Sequence, residues 1–305
     1  MTLRCCPLGC FLVAGALGIG LSAAASEQGA DRPRLEAGSD ERPLSLAAAD
    51  DAWAADAEEQ ATGTAPAANS GGYLGVSEFF NIREANPNVG AGGWELRLPA
   101  AWNTRSDGRD DNFLLGPALK YGITDDLFVG LELAPLNLGD SRDQGNGDLN
   151  LLVHWRLLRE NDTMPAVATW ARMRIPSGQG SRGVDGEFHG TITKTIVGAL
   201  RAHLDGFVMT ANGERTAFED DRRHFQWGVG PGFDYALDDQ TLLLLNYLHR
   251  SSNLYGNHNI NLLEIGVNRQ LSATQAVKAA IDIGLDDGPE TPNFGAKLEW
   301  SLTLR

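Results

Sequence analysis

The sequence predicts an all-β chain, a transmembrane antiparallel up-and-down β-barrel of about twelve strands. Three observations predict it. From residue 93 onward, segments of about ten residues alternate apolar and polar side chains with period two, and almost nothing has helical period. The connections between the segments alternate short and long, as they do in barrels whose turns lie at one end and whose loops lie at the other. The polar face also carries charge in most segments, which separates the pattern from a soluble sandwich whose apolar face is buried against a second sheet.

The segments lie near 93–103, 112–122, 127–137, 147–158, 165–175, 187–196, 199–211, 224–235, 241–250, 259–269, 275–285 and 293–304. The first, WELRLPAAW, puts Trp94, Leu96, Leu98, Ala100 and Trp102 on one face, with Glu95 and Arg97 on the other. DLNLLVHWRL divides in the same way, with Leu149, Leu151, Val153, Trp155 and Leu157 opposite Asp148, Asn150, His154 and Arg156. FQWGVGPGFDY sets Phe225, Trp227, Val229, Pro231, Phe233 and Tyr235 against Gln226, glycines and Asp234. The last, FGAKLEWSLTL, alternates Phe294 to Leu304 with Lys297, Glu299, Ser301 and Thr303. Each split assigns one face to an apolar medium and one to a polar one.

Short turns follow the even segments at Thr124, Arg159, Leu237 and Ser272, and long polar loops follow the odd ones. The junction of the sixth and seventh segments offers only Gly198 as a turn residue. Aromatic residues gather near segment ends on the apolar face (Trp94, Trp102, Phe113, Tyr121, Phe225, Tyr235, Tyr247), where an interface girdle belongs. Two passages, LLGPALKYGITDDLFVGLEL and WGVGPGFDYALDDQTLLLLN, repeat one design. In both, a tight acidic turn joins two alternating strands.

The region before the barrel has a different character. Residues 1–25 read as a secretory signal, with Arg4 before an apolar run and Ala23-Ala24-Ala25 before Ser26. Cys5, Cys6 and Cys10 all lie in that stretch, so a mature chain has neither disulfides nor cysteine chemistry. Residues 26–80 read as a disordered, acidic, Ala-rich periplasmic leader. Ten Asp or Glu and three Arg fall between 27 and 59. The barrel is then assigned to 81–305. A formal charge of −15 argues against nucleic acid as a partner. The expected partners are outer-membrane lipid and a small-molecule solute.

A charged, Gly-rich inner face hydrates. Glu95, Arg97, Lys120, Glu132, Arg156, Arg172, Arg174, Asp234, Lys297 and Glu299 are therefore expected to line the lumen, as a salt-bridged plug or as a polar field across a pore. The hairpins LGPALKYGITDDL and VGPGFDYALDDQ, the run MRIPSGQG at Met173–Gly180, and the closing outward aromatics resemble the exported barrel family labelled "MetA pathway of phenol degradation". The resemblance covers roughly residues 93 to 305. It implies an outer-membrane barrel that passes small, hydrophobic or aromatic compounds, and it brings no catalytic set.

A second reading is an acyl hydrolase. In NYLHRSSNLYGNHNINLLEIG, His249 would act as base, Ser251 as nucleophile and Glu264 as the orienting acid. Against it, Glu264 alternates to the inner face while His249 alternates to the outer one. The motif also has one residue more than the His-x-Ser-Asn of known outer-membrane hydrolases. A purely structural barrel is the third reading. His154, His189, His203, His224 and His258 show no paired spacing, so neither a metal nor a cofactor is expected.

Overall fold

The computed structural model describes residues 75–104, 112–134, 136–137, 147–178, 181–212, 223–288 and 291–304. The expected signal (1–25), residues 26–74 of the expected leader and much of the long loops lie outside the described residues.

The strands are β1 Trp94–Thr104, β2 Asn112–Leu115, β3 Ala118–Gly122, β4 Leu127–Leu133, β5 Leu136–Asn137, β6 Leu149–Leu158, β7 Ala166–Ile175, β8 Asp185–Val197, β9 Leu200–Thr210, β10 Phe225–Asp238, β11 Thr241–Arg250, β12 Ile260–Gln270, β13 Gln275–Gly284 and β14 Phe294–Leu304. Gly116-Pro117 separates β2 from β3 within one stave. Proline has no N–H for the ladder, although the Pro117 carbonyl still accepts from Leu133 N at 3.0 Å. β4 and β5 are likewise one stave, which makes twelve. Neighbours pair antiparallel throughout, and β14 pairs with β1 from Trp94↔Leu304 to Thr104↔Phe294, closing the ring. Closure removes the sheet edges that would otherwise be left unpaired.

Turns and loops alternate as the sequence predicts. β8 and β9 meet at Gly198-Ala199, and Gly198 takes φ 52°, a left-handed conformation that glycine adopts without strain. One glycine is sufficient because a two-residue hairpin needs no more.

The alternation resolves into an apolar outside and a charged inside. Leu98, Leu131, Leu151, Val208, Phe233, Leu245, Ile265 and Leu298 are exposed, whereas Arg97, Lys120, Arg172, Lys278 and Glu299 are buried. Trp94 and Tyr121 touch at 4.6 Å near the short-turn end, where Trp155 and Tyr235 are also exposed. Trp102 and Phe294 meet at 6.3 Å near the loop end, where Phe113 and Phe225 are exposed.

Residues 75–93 form no strand. They fold into the ring and supply much of what apolar core the interior has. Val76, Phe79, Phe80 and Ile82 pack with Leu244 and Ala280 of the wall, and Val89 packs with Phe128, Leu152 and Trp170. The expected boundary at residue 80 thus falls within this buried segment, whose residues 75–80 belong to the barrel interior. Gly75 O accepts from Asn268 Nδ2 at 3.1 Å, near the turn after β12. Gly92 N donates to Gly122 O at 2.8 Å, near the turn after β3. The segment therefore enters and leaves at the short-turn end, as a plug pushed up into the lumen.

The wall is cut to admit it. A Cβ on Gly230 would lie 2.6 Å from Ile82 Cγ2, and one on Gly232 would lie 2.1 Å from Ile82 Cδ1. The glycines of the GVGPG stretch are the space that Ile82 occupies.

Candidate channel lumen

Buried charge survives only when it is paired and hydrogen-bonded. The interior satisfies this through ion networks, several of which include the plug. In the first, Glu78 of the plug accepts from Lys120 Nζ at 2.5 Å and from Arg97 Nη1 at 3.2 Å. Arg97 also donates from Nε and Nη2 to Glu299, at 2.9 and 2.5 Å. Lys278 Nζ holds the other Glu299 oxygen at 2.7 Å, and Lys120 lies 3.0 Å from Glu95. Asn88 of the plug donates to Glu95 at 2.9 Å.

A second network joins Lys297, Glu264 and Asp282. Lys297 hydrogen-bonds Glu264 and lies 3.2 Å from Asp282. Asn81 of the plug docks on it, donating from its backbone N to Glu264 at 2.9 Å and from its amide to Asp282 at 2.6 Å. In a third, Arg201 grips Asp234 through Nε and Nη2 at 2.9 and 2.6 Å and reaches Glu84 of the plug at 2.8 Å. His203 Nε2 lies 2.8 Å from Asp234. Glu84, His203 and Asp234 bring three potential ligand atoms within 4.8 Å of one another, but the cation bound to both carboxylates is the Arg201 guanidinium. In a fourth, His189 contacts Glu187 through Nε2 and Asp205 through Nδ1, and Asp205 accepts Arg83 N of the plug at 3.0 Å.

All ten residues expected to line the lumen lie on the inner face. Arg172 pairs with Glu132 at 3.0 Å, and Arg174 pairs with Asp148 and Asp185 near the loop end. Arg156 is less enclosed and reaches Asp126 at 2.5 Å and Asn86 of the plug at 3.1 Å. Burial pushes the Asp126 carboxyl up, but hydrogen bonds from Arg159 and Arg156 outweigh it, so Asp126 titrates below the ordinary carboxylate range.

Alternation along β13 places Lys278 and Asp282 inward as well. It could not mark Glu78, Asn81, Arg83 or Glu84, because the plug has no strand period. The signal available was the apolar density of VSEFFNI immediately after a polar tract.

Between plug and wall lies a small cavity whose lining includes Arg83, Asn88, Phe128, His154 and Trp170. His154 stacks on Phe128 with centroids 4.9 Å apart and planes 1° from parallel. Arg83 lies over the Trp170 ring at 4.5 Å. Both His154 nitrogens, Trp170 Nε1, Arg83 Nε and Asn88 Oδ1 have no hydrogen-bond partner among the described residues.

The proposed hydrolase residues are not brought together. Glu264 lies inside the wall, bonded to Lys297, Asn246 and the plug. His249 lies on the outer side beside Trp227, and its Nδ1 bonds Asn261 Oδ1 at 2.7 Å. Ser251 is buried, and its Oγ accepts Trp227 N at 3.1 Å. Asn261 in turn donates to Asp286 at 2.9 Å. Burial raises the Asp286 carboxyl, but hydrogen bonds from Thr291 and Asn261 bring it below its ordinary value.

No family model matches the chain, and no curated protein does. Among solved structures, the chain is similar to the COG4313 outer membrane channel from Pseudomonas putida F1. The TM-score is 0.53 at 15% identity, covering 76% of this chain and 100% of that one. It is also similar to the NanC porin, with a TM-score of 0.51 at 8% identity, covering 68% of this chain and 100% of that one. At these identities the likeness is one of fold, and the fold is the closed antiparallel barrel of outer-membrane channels.

Proposed function

We propose that the protein spans the outer membrane of a Gram-negative-type bacterium and acts as a channel for small solutes, closed here by the plug of residues 75–93. The observation that carries this reading is the inverted distribution of polarity. Isolated apolar side chains are ordinary on a soluble surface, but a continuous apolar band between two aromatic rims requires an apolar solvent. The charged interior needs a water-filled path only when the plug is out. In the same reading, residues 1–25 direct export, and residues 26–74 lie in the periplasm, on the side where the plug enters.

A small aromatic solute, which the family resemblance implies, would find flat surfaces on the wall at Phe128, His154 and Trp170 once the plug is out. Its polar edge would meet Trp170 Nε1 and the His154 imidazole of the same wall. The test is reconstitution of the full chain in planar bilayers. Brief, infrequent openings are expected from the native protein, with frequent openings when Ile82 is replaced by Asp. An unbroken baseline from both, with heat-modifiable gel migration showing both folded, removes the channel reading and leaves a structural barrel.

A further inference from the structure

The Glu78 seat has more cation than the wall itself can neutralise. Three wall cations, Arg97, Lys120 and Lys278, share two wall carboxylates, Glu95 and Glu299, through contacts of 2.5–3.9 Å. The sixth member, which brings the cluster to neutrality, is Glu78 of the plug, through its contacts with Arg97 and Lys120. When the plug leaves, the wall keeps one uncompensated positive charge. Arg97 Nη1 and Lys120 Nζ are then left without the carboxylate that both now hold. All six side chains are at most 5% exposed in the plugged barrel, so there the charge is matched by protein groups, and once the plug leaves only water or a dissolved anion can replace Glu78.

The other plug contacts lack this property. The Lys297 cluster carries two wall carboxylates against one cation, and Arg201 is already neutralised by Asp234. Among the described plug contacts, only the seat of Glu78 demands an anion, and its two donors converge on one carboxylate oxygen, Oε2.

We propose that this seat is a carboxylate-binding subsite of the open channel, that small carboxylates are the solutes it takes, and that Glu78 occupies it in the closed form as an internal stand-in. The part concerning transport rests on the channel reading above. The part concerning binding does not. A solute carboxylate and Glu78 compete for the same two donors, so such a solute favours the unplugged state, whereas a neutral solute of equal size has no such leverage.

The binding experiment uses the full chain with Glu78→Ala in detergent. Sodium acetate and sodium propionate are titrated at constant ionic strength, with sodium chloride and acetamide as controls. The carboxylates are expected to raise the unfolding midpoint of the variant by roughly 2–4 °C near tenfold saturation, and to leave the native protein unmoved. Lys120→Met in the same background is expected to abolish the rescue. Equal stabilisation by chloride overturns the carboxylate assignment, and no stabilisation by any anion overturns the subsite.

Should Glu78→Ala not fold, Glu78→Gln in a bilayer under a potassium chloride gradient gives a second reading. The anion-to-cation permeability ratio is expected to rise at least twofold over native, and an unchanged or lower ratio overturns the proposal. Rescue without conductance from any variant removes the channel reading and keeps the subsite. Conductance without rescue or anion preference does the reverse.

Discussion

Alanine at Gly122 tests whether the plug is seated against the wall as described. A Cβ built there lies 1.8 Å from Gly90 O, 2.6 Å from Gly90 C and 3.2 Å from Val89 O. All three are backbone atoms, so no side-chain rotation relieves the clash. The chain at 89–90 must retreat by more than about 1 Å to reach ordinary contact. Gly122 has no left-handed φ, so alanine brings no strain of its own. The retreat breaks two hydrogen bonds, Gly92 N to Gly122 O and Gly122 N to Gly93 O, at about 1 kcal/mol each. It also draws Val89 out of its cluster with Phe128, Leu152 and Trp170, at a further cost of about 1 kcal/mol. The sum, about 3 kcal/mol, falls on the plug, because the ladder pair Gly122↔Phe128 is untouched by an inward methyl. That corresponds to roughly a hundredfold rise in the ratio of unplugged to plugged protein. Single-channel recording of open probability measures it, with Gly190→Ala as the control, since a Cβ there meets nothing within 4 Å. Equal open probability in native and Gly122→Ala protein would refute the seating of the plug and the gating argument built on it.

Ile82→Ala removes the side chain that Gly230 and Gly232 make room for, and should weaken the plug by about 2–4 kcal/mol with a matching rise in channel opening. Asp126 has a carboxyl lowered in the folded state, so its contribution is complete above the unfolded carboxylate value of about 4 and disappears as pH falls through the lower folded value. The stability gap between native and Asp126→Asn protein should accordingly be constant at pH 6–7 and close on acidification below about pH 4, as followed by urea unfolding in detergent micelles. Trp94 and Trp102, exposed on the outer wall, should be quenched by brominated lipid in single-tryptophan variants, while Trp170, buried inside, should not. His249→Ala should leave the rate of lipid release unchanged in a phospholipid assay, because His249 bonds Asn261, Ser251 is buried against Trp227 N, and Glu264 lies on the other side of the wall.

The staves were legible in the sequence because their physics is local. A closed sheet with lipid on one side and charge on the other forces period two upon every strand, and each strand reports it separately. Gly198 was a weak sign only because a two-residue hairpin leaves so little to read. The interruptions at Gly116-Pro117 and after Leu133 were not separable from their staves, since alternation continues across them. The plug could not be read in this way. Its backbone donors are satisfied by wall side chains, such as Glu264 for Asn81 and Asp205 for Arg83, which lie more than a hundred residues away. Nothing in a window around residue 80 announces such partners, so a buried segment at the end of an acidic tract looked like more of the tract.

The same fact explains why wall and plug are charged at all. An apolar plug in an apolar lumen would bury more cheaply, since paired charges gain little over well-packed hydrocarbon. It would also have nowhere wet to go, and no contact that water could replace. Here the wall residues that hold Glu78, Asn81 and Glu84 are also the ones that would hydrate an open pore. Removing the plug exchanges hydrogen bonds to protein for hydrogen bonds to water, and leaves only the seat between Arg97 and Lys120 short of an anion. The apolar anchors Phe79, Phe80, Ile82 and Val89 set how firmly the closed state is held. The ion pairs set what can replace it. In the channel proposed above, opening would cost a small loss of burial and leave a specific vacancy, and Ile82→Ala should change how often it opens without changing which ion it prefers, whereas Glu78→Gln should change both.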